Sequence, residues 1–384
     1  MDILFLLSGP DGDIELTAAD LEQPFRISPE VEHPFLLLGD YFAALQHFIL
    51  SGDGRVLRIA LQKHGYSKEF DPAAISGISI RSEKHGAFYH IASIEIKGLA
   101  ETIKFACTTA LSDSARASLQ EEYHLLRQLG ESEPDLLPAV YHQQELSVQK
   151  EDGTVDLFMV LGQWLDGYHE WHLSDDPGTG ERGIKLWDYD KGFRFLSAAE
   201  SYEVLYQAAF ILTRFYSQDT FRQIYPWHHG AGDFIVRAES GTVAIKLITV
   251  RQYEPLVHFD SPGEADLIIG AIHFLLNLSL RMRLDRLDGI FEPVWFAEFA
   301  VRAAVAGFFA GLAESRAKGT LLLGPVDDLL GILRSFDVGE ILEMYDSLLE
   351  VYADEDQDDF QLIREMLPGH APELYAALQE FSLP

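Results

Sequence analysis

Residues 227–236 read Trp-His-His-Gly-Ala-Gly-Asp-Phe-Ile-Val and gather two imidazoles and a carboxylate around small residues. An imidazole titrates near neutral pH, so His228 could act as a general base. A carboxylate such as Asp233 can anchor a divalent cation, because magnesium sites often lean on one or two carboxylates plus phosphate. The small residues before Asp233 suit close backbone approach to a ligand. Neighbouring histidines on extended backbone point opposite ways, so His228 and His229 are poorly disposed to share one metal.

Three other features invite chemistry and favour plainer roles. His169 and His172 lie three apart, but the pattern is not HExxH and no nearby residue supplies a third zinc ligand. The run Asp354-Glu355-Asp356-Gln357-Asp358-Asp359, with Glu365 at the twelfth position, partly imitates an EF-hand loop. Asp359 stands where that loop needs glycine, so a solvated acidic link is expected. The single Cys107 can form no internal disulfide and has no basic neighbour, which makes it a core filler in a reducing setting.

The elements that must position these groups change character along the chain. Residues 1–70 form an extension in which Phe35–Leu38 and Tyr41–Leu50 have helical apolar spacing, stopped by Ser51-Gly52-Asp53-Gly54. Ile75–Arg81, Phe88–Ile96 and Glu101–Thr108 read as an antiparallel meander. A helix follows, capped by Asp113 or Ser114, striped by Leu119, Tyr123, Leu126 and Leu129, and ending at Gly130. Ala139–Val148 and Val155–Gly162 give two more strands. Ser174–Gly192 is rich in Asp, Gly and Pro and reads as a long loop. Thereafter the pattern is mostly helical: Ala198–Ser217, a short ribbon at Phe234–Arg237 and Val243–Ile248, then about 264–283, 294–317 and 338–352.

Composition bounds the function. The chain has 384 residues, 47% of them apolar, with 29 basic and 61 acidic residues and a net charge of −32. About three quarters of the unfolded surface of such a chain is buried on folding, so a large core is assured. So acidic a surface repels phosphate backbones and anionic lipid heads, which argues against nucleic-acid and membrane-surface partners. The opening run to Leu7 carries Asp2 where a secretory signal needs positive charge, and it is too short. The most apolar later stretch, Leu267–Leu280, is too short to cross a bilayer. A cytoplasmic location is expected.

Three strands, a helix and two strands, then a helical half that opens with a helix, a polar loop and a ribbon, resemble the protein-kinase-like fold, including its aminoglycoside-phosphotransferase-like branch. The resemblance covers roughly residues 75–350. It implies an α+β, two-lobed architecture: a small five-stranded antiparallel N-lobe with one helix over 71–165, a mostly helical C-lobe over 166–384, and the N-terminal extension.

Local motifs carry the resemblance further. Glu83-Lys84-His85-Gly86-Ala87 lies where kinases place the glycine-rich loop over phosphates, with Gly86 its single glycine. Lys104 lies on the strand that carries the phosphate-pairing lysine, four residues before Thr108, which holds that spot by counting. Glu122 looks like the helix glutamate that pairs with it. On residue pattern alone, Lys104 is an exposed strand lysine and Glu122 faces water. Gly162-Gln163 is similar to the adenine-binding hinge. In 227–236, Asp233 holds the metal-binding asparagine position and His228 the base position, while Thr249 replaces the second metal carboxylate. Asp266 looks like the helix aspartate that braces the catalytic loop.

The resemblance implies ATP with Mg²⁺ or Mn²⁺ as cofactors. The loss of one carboxylate favours a pseudokinase-type regulatory or binding module with weak or no phosphotransfer, acting on a protein partner or small molecule. The alternatives are an ATP- and metal-dependent small-molecule phosphotransferase, with His228 as base, Asp233 as metal ligand and amine-bearing substrates, and a protein holding a non-nucleotide ligand near Trp164, Trp171 and Trp227.

Overall fold

The computed structural model describes residues 2–9, 12–28, 31–66, 74–85, 88–99, 101–188, 191–227, 232–239, 241–259 and 263–383. The chain divides into two compact units, Met1–Asp166 and Gly167–Pro384.

Unit 1 opens with β1 (Asp2–Gly9), β2 (Gly12–Glu15), the short helix α1 (Ala18–Leu21), the hairpin β3 (Pro24–Ser28) and β4 (Val31–Leu37), and the broken helix α2 (Leu38–Lys63). There follow β5 (Gly77–His85), β6 (His90–Lys97), β7 (Ile103–Ala110), α3 (Asp113–Ser132), β8 (Val140–Lys150) and β9 (Gly153–Gln163). The five expected strands pair antiparallel, and β1 and β2 extend them to a sheet of order β2-β1-β5-β6-β7-β9-β8. β1 runs parallel to β5, with Ile3 opposite Ile78, so the sheet is mixed.

Strand alternation puts the two main helices on opposite faces. Phe105 and Cys107 of β7 and Leu157, Met159 and Leu161 of β9 enter one core with Phe42, Leu45, Phe48 and Leu57 of α2. Ala110, Phe158 and Val160 point the other way, onto Ala115, Leu119 and Tyr123 of α3. Ser112 caps α3 by accepting the Ala115 N–H at 3.2 Å, and the helix runs past Gly130 to Ser132. The sequence 51–54 interrupts α2 without ending it. Gly52, Asp53 and Gly54 adopt φ of +59°, +54° and +74°, a left-handed run that breaks the helix before it resumes with Val56, Leu57, Ala60 and Leu61 buried.

Unit 2 begins with a three-stranded sheet, β10 (Glu170–Asp175), β11 (Arg182–Asp188) and β12 (Gly192–Phe195), where a long loop was expected. Trp171, Leu173, Ile184 and Leu186 alternate into its core, but each run is short and separated by Asp, Pro and Gly. Next come α4 (Ala198–Arg214), β13 (Arg222–Ile224), β14 (Phe234–Glu239), β15 (Thr242–Leu247), β16 (Tyr253–Pro255), α5 (Glu264–Arg281), β17 (Leu284–Arg286) and β18 (Pro293–Trp295). The chain ends with α6 (Phe299–Ala317), α7 (Val326–Ser335), α8 (Val338–Met344), α9 (Asp346–Tyr352) and α10 (Gln357–Glu380). Helices α4 and α6 approach so closely that a Cβ on Gly307 would lie 2.4 Å from the Tyr206 carbonyl oxygen. Among the described residues no helix is long and apolar enough to cross a membrane.

Candidate functional site

In unit 2 the described part of the candidate loop is Trp227 and Gly232–Val236. The base candidate His228 lies outside the described residues, with His229, Gly230 and Ala231. Trp227 is buried, edge-on to Phe234 at 6.0 Å between ring centroids. Gly232 takes φ +72°, which turns the chain so that Asp233 enters the core beside the β14–β15 ribbon. The Asp233 carbonyl accepts the Ile248 N–H at 2.7 Å, tying this turn to the end of β15.

Asp233 is 1% exposed, and its Oδ2 accepts a hydrogen bond from Nη1 of Arg251, whose side chain is about one-third exposed. A carboxylate so deeply buried must be compensated by a cation or by hydrogen bonds, and here a guanidinium is at hand. Among the described residues the donor set does not fit the metal that the resemblance implies. Asp233 is already charge-paired, the neighbouring metal position carries Thr249, and no cluster of three or more metal-ligating side chains exists among the described residues.

In unit 1 the candidate lysine has a built environment. Lys104 Nζ lies 3.6 Å from Glu83 Oε1 and 3.8 Å from the centroid of the Trp164 ring. Glu83 also accepts from Arg81 Nε at 2.9 Å. Burial pulls the Lys104 pKa below its ordinary value, against the attraction of Glu83. So Lys104 is a partly buried, paired residue and not the exposed strand lysine that alternation suggests.

Glu122 is 5% exposed on α3, on the helix side that packs against the sheet, rather than facing water. The carboxylate ion-paired with Lys104 is Glu83, from β5 and not from the helix. Gly162 sits within β9 between Ala106 and Val140. Gln163 donates its backbone N–H to the Ala139 carbonyl at 2.8 Å and accepts the Ala139 N–H on Oε1 at 3.2 Å. The Gln163 N–H is thus engaged within the sheet. Gly86 lies outside the described residues. Strand pairing of Ala106 with Gly162 and Phe105 with Gln163 brings Lys104, Gly162, Gln163 and Trp164 into one neighbourhood.

The remaining motifs resolve into structural roles. His169 Nε2 is 3.6 Å from Asp188 Oδ2, while His172 meets the Trp187 ring edge-on. The acidic link is not simply solvated: Asp356 caps α10, and Arg286 Nη2 reaches Asp356 at 2.9 Å and Asp359 at 2.8 Å. Burial opposes ionisation of Asp356, but the Asp359 N–H and Arg286 outweigh it and hold its pKa low. Burial dominates at Asp359 and raises its pKa. Glu355 accepts from Arg281 at 3.0 Å and from the Tyr225 hydroxyl. Glu355, Asp356, Asp359, Tyr225 and Gln252 line a cavity of about 420 Å³. Asp266 folds back to accept the Gly263 N–H at 2.8 Å, so it caps its own helix.

Arg251 is a charged residue that motif spacing misses, on irregular backbone between β15 and β16. Glu83 opens the Glu83–Ala87 segment, but at a register shift of β5 no pattern marks it as the partner of Lys104. No family model and no curated protein matches the chain.

Proposed function

We propose that the chain is a degenerate, pseudokinase-type module of kinase-like fold that binds or regulates and has weak or no phosphotransfer activity. The observation that carries this is the pairing of Asp233 with Arg251. Phosphoryl transfer depends on metal ions that bridge phosphate oxygens and neutralise developing charge. A carboxylate already matched to a guanidinium offers a metal little net charge. The pairing of Lys104 with Glu83 of β5, and not with the helix residue Glu122 to which the resemblance assigns that role, supports the same reading. The net charge of −32 favours a cationic protein partner or an amine-bearing small molecule over nucleic acid or a membrane surface. The single cysteine suits a reducing, cytoplasmic setting.

Thermal-shift titration with ATP and ADP, each with and without Mg²⁺ or Mn²⁺, tests the reading. A ligand at 100 times its Kd adds about 2.7 kcal/mol to stability. A nucleotide shift that is independent of metal supports a nucleotide-sensing module. A metal-dependent shift overturns the degenerate reading in favour of the ATP- and metal-dependent phosphotransferase. No shift with either nucleotide removes nucleotide from the proposal.

A further inference from the structure

The cavity of about 420 Å³ in unit 2 combines carboxylates with an apolar lining from Pro226, Leu256 and Val351. Two of its carboxylates are spent within the protein. Glu355 accepts from Arg281 and from the Tyr225 hydroxyl, and Asp356 accepts the Asp358 and Asp359 N–H groups at 3.0 and 3.2 Å. Asp359 differs. It is 4% exposed, it lines the cavity, and among the described residues its Oδ1 accepts no hydrogen bond. Arg286 Nη2 stands 2.8 Å from that oxygen, but the same nitrogen lies 2.9 Å from Asp356, so one positive charge is divided between two carboxylates. Against Arg281 and Arg286, the three carboxylates leave one negative charge in excess beside the cavity. A buried carboxylate in that state is stabilised by a further cation that donates hydrogen bonds.

We propose that this cavity binds a monovalent organic amine, its ammonium on Asp359 and its hydrocarbon against Pro226, Leu256 and Val351. An ammonium carries three N–H donors for the carboxylate, and one positive charge matches the excess. The carboxylates form no metal-ligating group of three among the described residues, which favours an organic cation over a divalent ion. The volume lies within the roughly 300–1,000 Å³ of small-molecule sites, and a few polar groups on an apolar lining are their usual makeup. The site uses neither Asp233 nor Lys104, so it stands apart from the kinase-like reading.

Protonated n-butylamine and neutral 1-butanol, titrated into the full chain at pH 7 and followed by calorimetry and melting temperature, test the proposal. Salt at 0.15 M screens the general acidic field to about 8 Å. The wild type should bind the amine saturably and melt higher with it, and should not respond to the alcohol. Asp359→Asn should bind the amine at least tenfold more weakly. Asp358→Asn, at an exposed neighbour outside the cavity lining, should bind as the wild type does. Val351→Phe narrows the cavity and leaves every charge in place; it should weaken binding too, and it decides the matter if Asp359→Asn does not fold. Unchanged amine binding in either folded variant overturns the proposal. So do equal responses to amine and alcohol, or no saturable amine binding by the wild type. Nucleotide and metal are absent throughout, so failure of the kinase-like reading and failure of the amine site are separate results.

Discussion

The ammonium of Lys104 sits 3.8 Å from the centre of the Trp164 ring, held there while Glu83 lies 3.6 Å away. Glu83 is shared, because Arg81 also donates to it. Removing either cation leaves the carboxylate with one partner; removing the carboxylate leaves Lys104 without its ion pair beside Arg81, which keeps Asp13. Glu83→Gln should therefore cost about 1–3 kcal/mol, more than Lys104→Met, which should stay within about 1 kcal/mol. Urea unfolding of the two variants ranks them, and the reverse order would show that Glu83 is not the hub.

His370 is fully buried, with Nε2 2.9 Å from the Tyr345 hydroxyl and 3.3 Å from that of Ser279. Burial, aided by Arg283, depresses its pKa to about 3. The unfolded chain takes up this proton near pH 6.5 and the folded chain does not, so stability is complete above 6.5 and falls as pH drops toward 3. By pH 5 the loss amounts to about 2 kcal/mol. His370→Gln should remove that share of the acid sensitivity, read as a shallower fall in unfolding free energy between pH 7 and pH 5. An unchanged slope would show that His370 protonates freely in the folded state.

Close approach of α4 and α6 depends on glycine. A Cβ at Gly307 would meet the Tyr206 carbonyl oxygen at 2.4 Å and the Ala209 Cβ at 2.7 Å. Gly307→Ala should destabilise by about 1–3 kcal/mol through overpacking. Gly331 in α7 has no atom near its Cβ position, so Gly331→Ala should be stabilising by about 0.4–1 kcal/mol. Melting temperatures moving in opposite directions are the expected result.

Arg286 holds both Asp356 and Asp359, and Asp359 is nearly buried. Arg286→Ala should cost about 2–3 kcal/mol by leaving a buried carboxylate unmatched, discounted for the partial exposure of the arginine. Calcium should leave the melting temperature of the wild type unchanged, since these carboxylates cap a helix and bind arginine. A calcium-dependent rise would restore the EF-hand interpretation.

Periodicity made the five central strands and α3 legible, because Phe105, Cys107, Leu157 and Leu161 alternate cleanly and Leu119, Tyr123, Leu126 and Leu129 stripe one helix face. Where runs were short, it failed. Trp171–Leu173 and Ile184–Leu186 offer two inward residues each, too few to outweigh the Asp, Pro and Gly between them. β1 read only as an apolar start, since its parallel partner β5 lies 75 residues away by register, as in Asp2 with Gly77. Pro368 and Pro372 hide α10, which accommodates both. At the candidate site Asp233 and Lys104 stood out by residue type, but their partners did not. Those pairings are specified by tertiary geometry: Arg251 holds no motif position, and Glu83 opens the Glu83–Ala87 motif without being marked there as the partner of Lys104.

On the degenerate reading, the described charged residues proposed for phosphoryl transfer are matched within the protein. Phosphate release from labelled ATP in the presence of Mg²⁺ tests it most directly, comparing wild type with Asp233→Asn and Lys104→Met. All three should release phosphate at the rate of buffer alone. Turnover by the wild type that either substitution abolishes, with folding intact, would overturn the degenerate reading.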